Sequence, residues 1–135
     1  MSLNYNMNGF KLAVSAGVAD ETKGKRRWTR VQASLIGFPC SDLEALASIK
    51  ACFDCFRRGQ LPKGEPQPLL GTGEDGVLFA LRQKDKVLYL LLQRVSDGRV
   101  VEEAYLAHLD AARLEVVVGK ALQFLAPATI WGPEQ

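Results

Sequence analysis

Residues 77–106 read Val-Leu-Phe-Ala-Leu-Arg-Gln-Lys-Asp-Lys-Val-Leu-Tyr-Leu-Leu-Leu-Gln-Arg-Val-Ser-Asp-Gly-Arg-Val-Val-Glu-Glu-Ala-Tyr-Leu. Within it, Lys86–Val95 is apolar on both alternating sets: Val87, Tyr89 and Leu91 on one, Leu88, Leu90 and Leu92 on the other. A strand covered on both faces has that pattern, so it belongs inside a sheet rather than at an edge. Val77–Gln83 precedes it across Lys84-Asp85. Ser96-Asp97-Gly98-Arg99 supplies the positive φ of a tight hairpin before a third strand, Val100–Leu106.

Working outward, Asp110 is expected to cap a helix whose Leu114, Val117, Val118, Ala121, Leu122 and Leu125 keep a helical repeat, with Pro127 closing it. Upstream, Gly59–Gly76 holds eight Gly or Pro residues and reads as a loop. Before that loop, Ser41 and Glu44 spell a capping box for a helix carrying Leu43, Leu46, Ile49, Phe53 and Phe56, with Gly59 as its stop. Two strands come first, Phe10–Val18 and Trp28–Ile36, joined by a polar connection over Asp20–Arg27. The element order is ββα–βββα. It predicts an α+β fold: an antiparallel sheet of about five strands with two helices on one face. The halves 10–59 and 76–127 are expected to share one core in a single domain spanning 1–135, since either alone would bury little. Their element order would suit degenerate copies of one unit, although their residue identity is poor.

The chain has 135 residues, 47% of them hydrophobic and 24% charged, with a net charge of +2. That composition excludes a disordered chain, a fibre and a disulfide-stapled mini-protein. The longest uncharged stretch, Ala121–Pro133, has 13 residues and contains a proline. It falls short of the ~18–20 apolar residues that cross a bilayer. The opening Met-Ser-Leu-Asn-Tyr-Asn-Met-Asn has no basic lead and no apolar run, so no secretory signal is expected. Three cysteines, an odd number, fit a reduced, cytoplasmic protein.

The chemically distinctive segment is Lys23-Gly-Lys-Arg-Arg-Trp-Thr-Arg30, with five basic residues of eight around an indole. Cations neutralise phosphates, and an aromatic face offers a platform for an unpaired base. Charge is also uneven: residues 1–63 carry ten Lys/Arg against five Asp/Glu, residues 64–135 seven against ten. The bland alternative is a solvated hairpin with its indole on the sheet edge.

Other motifs carry less. Cys52-Phe-Asp-Cys55 falls late in a helix, near its negative end, where a thiolate is disfavoured. With only Cys40 and His108 left, no zinc spacing emerges. Gly71-Thr-Gly-Glu-Asp-Gly76 spells G-x-G-x-x-G but precedes a strand, and its carboxylates would repel phosphate. A Cys40–His108 pair is the one arrangement suggesting a thiol enzyme. Core packing of the thiols is the simpler reading, and no catalytic residue, metal site or cofactor is expected. The apolar surplus of Lys86–Val95, with Phe124 and Trp131, predicts a homo-oligomer.

The second half, an antiparallel sheet running through Tyr105-Leu-Ala-His-Leu-Asp-Ala-Ala-Arg-Leu114 into an amphipathic helix, resembles the PC4 and whirly class of single-stranded nucleic-acid-binding proteins. The likeness covers roughly residues 77–126 with a looser echo in 10–59, and rests on element order rather than on a motif. Against the four-strand unit of that class, the predicted second half is one strand short and the first two. The resemblance implies that strand faces and basic hairpins contact an unpaired strand.

The reading is therefore a small, non-catalytic binder of single-stranded DNA or RNA. Its contacts are Lys23, Lys25, Arg26, Arg27, Trp28 and Arg30, with Arg82, Lys84 and Lys86 if the second hairpin lines the same face. The alternative is a protein-interaction module (chaperone, inhibitor or immunity-type protein) using an apolar sheet or helix face.

Overall fold

The structure, a computed structural model, describes residues 2–21 and 24–125. The fold is α+β, with eight strands and two helices among the described residues. Strands β1 (Ser2–Met7), β2 (Phe10–Glu21), β3 (Gly24–Leu35) and β4 (Phe38–Pro39) form one antiparallel sheet in sequential order. Helix α1 (Leu43–Arg57) follows. Then β5 (Gln67–Gly71), β6 (Gly76–Lys84), β7 (Val87–Ser96) and β8 (Arg99–Leu106) form a second such sheet, ahead of helix α2 (His108–Leu125). Each half thus runs four strands and a helix.

This corrects the expected single sheet of about five strands. The three further strands are β1, β4 and β5, and each has a reason to be silent in the sequence. β1 is Asn-rich and half exposed, β4 is two residues long, and β5 contains Pro68, which an edge strand tolerates. As expected, β7 lies between two partners, β6 and β8.

Two-residue turns join most strands. Asn8-Gly9, Ile36-Gly37, Asp85-Lys86 and Asp97-Gly98 all place both residues at positive φ, the geometry that matches the right-handed twist of a hairpin. The β2–β3 pairing runs into the segment Asp20–Arg27, which was expected to be a polar loop. The ladder continues from Phe10↔Leu35 to Glu21↔Gly24, so Lys25, Arg27, Trp28 and Arg30 are strand residues.

Helix α1 is capped by Asp42, whose side chain accepts from the Ala45 amide at 2.7 Å, rather than by Ser41. Ser41 is engaged elsewhere. Its hydroxyl accepts from the Ala33 amide at 2.8 Å and donates to the Ala33 carbonyl at 3.3 Å, extending the β3 ladder where β4 stops. At the far end Gly59, at φ +70°, takes the left-handed stop, with its amide bonded to the Phe56 carbonyl. Helix α2 begins at His108, two residues before the cap expected at Asp110. The expected closure at Pro127 lies outside the described residues.

The helices run antiparallel, since Arg57 meets Glu115 while Lys50 lies against Gly119. Helix α1 also touches β5, and α2 reaches β2 and β3 of the first sheet as well as β7 and β8 of its own. Phe10, Leu12 and Leu35 of the first sheet join Leu46, Phe53 and Phe56 of α1 in one buried cluster. Val77, Leu90, Leu92 and Leu106 of the second sheet and Leu114 and Val118 of α2 belong to it too. This two-sheet core absorbs apolar side chains that five strands would leave over, Leu90, Leu92 and Phe124 among them. Both helices lie on the core side, so each sheet turns its other face outward.

Candidate nucleic-acid interface

Alternation along a strand assigns every residue of the first sheet to a face. Phe10, Leu12 and Val14 of β2 point to the core with their ladder partners Leu35, Ala33 and Val31. The outward set on β2 is therefore Lys11, Ala13, Ser15 and Gly17, opposite Ser34, Gln32, Arg30 and Trp28 of β3. On β1 the outward residues are Ser2, Asn4 and Asn6, the exposed half of a regular alternation.

The result is a trough. Ala13, Ser15 and Gly17 keep the central strand low, with Asn4 and Asn6 on one side of it and Gln32, Arg30 and Trp28 on the other, the indole reaching over Gly17. Its lower part is an open depression of about 690 Å³ lined by Asn4, Asn6, Lys11, Gln32, Ser34 and Ser41 among others. Trp28 stands four residues farther up β3 than Gln32, about 13 Å along the strand.

Gly17 explains how Trp28 is seated. A Cβ at that position would lie 2.8 Å from Cζ2, 3.0 Å from Cε2 and 3.1 Å from Nε1 of the indole. The ring therefore lies across the glycine, packed on the backbone of β2 and 43% exposed on its other side. Seating on the sheet was the bland expectation, and exposure the functional one. Both describe this ring.

The other cations are divided. Lys25 and Arg27 share the opposite side of the β2–β3 ribbon with Val18, whereas Arg30 shares the face of Trp28. Asp20 stands across the ladder from Lys25. Among the described residues no ion pair engages Lys25, Arg27 or Arg30. Lys23 and the side chain of Arg26 lie outside the described residues.

In the second sheet, Arg82 and Lys84 also face outward, together with Tyr89 and Tyr105. Arg82 is already engaged, its Nη1 donating to the carbonyls of Gly64 at 3.0 Å and Leu81 at 2.9 Å. Lys84 Nζ sits 4.4 Å from the centre of the Tyr105 ring, which meets Tyr89 edge-on with centroids 6.2 Å apart. Lys86 occupies the hairpin tip, at φ +68°. Asn4, Asn6, Lys11, Gln32, Tyr89 and Tyr105 were not among the contacts expected from the sequence. The period-two pattern of Asn4 and Asn6 against Leu3, Tyr5 and Met7 was the signal available for the first strand.

Two of the three thiols, Cys40 and Cys52, are buried. Cys40 is 1% exposed, and burial, reinforced by the charge of Asp42, pushes its thiol up to about 12. Burial does the same to Cys52, also to about 12. His108 stacks on the Phe56 ring at 4.3 Å, with 17° between the planes. Among the described residues no cluster of His, Cys, Asp and Glu could hold a metal ion, and no helix is long and apolar enough to cross a membrane. No protein-family model matches the chain, and no curated protein matches it.

Proposed function

We propose that the protein binds single-stranded nucleic acid, without catalysis, along the outer face of its first sheet. Trp28 stacks on an unpaired base, Arg30 and Lys11 neutralise phosphates, and the amides of Asn4, Asn6 and Gln32 meet base edges. The observation that carries the reading is the indole lying on Gly17 with its far side open, next to an arginine without an ion-pair partner among the described residues. A seated ring needs little ordering when a base arrives, which favours stacking over burial in a core. The repeat of four strands and a helix in each half lends support, because the likeness to the PC4 and whirly class implies that unit. Three free cysteines suit a reducing compartment such as the cytoplasm.

Titration of tryptophan fluorescence with single-stranded oligonucleotides at low salt tests the proposal, in a Trp131→Phe background so that emission reports Trp28. Quenching that saturates is expected. The affinity should fall with salt on a log–log slope of about −1.4 to −2.1, the value for two or three phosphates on a single strand. No binding, or equal binding by Trp28→Ala measured through the anisotropy of a fluorescein-labelled oligonucleotide, would overturn it.

A further inference from the structure

We propose a second binding surface, unrelated to the trough: the groove between α1 and α2 docks an acidic, amphipathic helix of a partner protein. The groove opens on the helical side of the molecule and measures about 590 Å³. Ala112 and Gly119, seven residues apart on α2, keep its floor low, and Val116 stands between them at 60% exposure. Leu109, 62% exposed, continues the apolar line one to two turns toward the start of α2. Two antiparallel helices with small residues between them leave a seat in which a third can pack at ordinary interhelical distance.

Charge selects the occupant. Lys50 and Arg57 on α1 and Lys120 on α2 line the groove against a single carboxylate, Glu115. That carboxylate is already taken: Arg57 Nη1 donates to it at 2.7 Å, Lys50 Nζ lies 3.9 Å away, and its side chain is only 12% exposed. Lys120 has no ion-pair partner among the described residues. The groove therefore presents two surplus positive charges beside an apolar strip. A second copy docked face to face would set those charges against the same charges. A nucleic acid would find phosphate partners but no aromatic platform, and would leave Val116 and Leu109 without apolar contact. A helix with leucines along one side and glutamates flanking them satisfies both features at once.

The test uses the full chain and a fluorescein-labelled helical peptide of about 18 residues, long enough to hold a helix, with leucines at i, i+3, i+4 and i+7 flanked by glutamates. Fluorescence anisotropy should show binding. Lys120→Glu combined with Lys50→Glu should weaken it about tenfold or more, and Val116→Asp should do likewise. A peptide with lysines in place of the glutamates should bind the double variant better than the unaltered chain. Trp28→Ala should change nothing. Val116 and Lys120 are exposed, so circular dichroism should show those variants folded. Any of three results overturns the proposal: affinity indifferent to the charge reversals, competition by a single-stranded oligonucleotide that Trp28→Ala does not relieve, or self-association of the chain abolished by Val116→Asp.

Discussion

Gly17→Ala separates what Trp28 does for folding from what it does for binding. Gly17 is not among the positive-φ glycines, so its backbone accepts an alanine. Removing a glycine from an unstrained position ordinarily stabilises a chain by about 0.4–1 kcal/mol through the unfolded state. Here the new methyl would sit 2.8 Å from Cζ2 of the indole. Carbon atoms settle near ~3.5–4.0 Å, so the ring must withdraw by roughly 1 Å. Because Trp28 is 43% exposed, its ring can swing outward without moving the strand. An off-rotamer side chain costs about 0.5–1.5 kcal/mol, which roughly cancels the gain. Stability to urea should therefore change by less than about 1 kcal/mol. Binding should change more. Stacking is worth about 1–3 kcal/mol per base, so losing the platform weakens oligonucleotide affinity by about 5- to 150-fold, and displacing it by part of that. The assay is the anisotropy of a fluorescein-labelled oligonucleotide titrated with each variant, paired with urea unfolding, with Trp28→Ala marking full loss. Gly17→Ala should fall between that limit and the unaltered chain. If Gly17→Ala bound as tightly as the unaltered chain while Trp28→Ala did not bind, the seat on Gly17 would be irrelevant and the reasoning refuted.

Four further outcomes are expected. With Ellman's reagent, half-buried Cys55 should react in the folded protein, whereas Cys40 and Cys52 should react only on unfolding. From their ordinary 9.0 to the folded value of about 12, the unfolded chain releases thiol protons that the folded chain retains, so stability measured by denaturation should fall as pH rises through that window. Asp42→Ala should cost about 1 kcal/mol by removing the α1 cap, while Ser41→Ala, which strips the Ala33 amide of its partner, should cost about 1–2 kcal/mol without lowering helix content by circular dichroism. Glu115→Gln should lower stability in thermal melts by only about 1 kcal/mol, held down by solvent around Arg57, and high salt should erase most of the difference.

How far the sequence spoke depends on how much each element buries. The apolar stripe of Leu46, Ile49, Phe53 and Phe56 marked α1, and the doubly apolar β7 marked an interior strand, because burial imposes a period on the residues it selects. The three unexpected strands bury one side weakly or are too short to show a period. The β2–β3 ribbon failed for a related reason. Near Lys25 and Arg27 it runs past the apolar core residues, and its described side chains there are exposed, so polar residues are tolerated on both sides. The cap was misassigned because Ser41 and Asp42 are adjacent and both are good caps. The choice depended on the Ala33 amide, a partner eight residues away. In the candidate interface, Trp28 and Arg30 were legible by type. That Lys25 and Arg27 lie on the other side of the ribbon depended on a register that only the strand pairing reveals.

The repeat of four strands and a helix within one polypeptide has an evolutionary consequence. In an assembly of identical subunits, every substitution appears in all of them at once, and a change useful on one surface is imposed on its symmetry mates. Here the counterparts mutate separately. One exterior carries asparagines, a glutamine and an indole, while the other carries tyrosines and a lysine. A substitution in either unit therefore changes one exterior and leaves the other as it was.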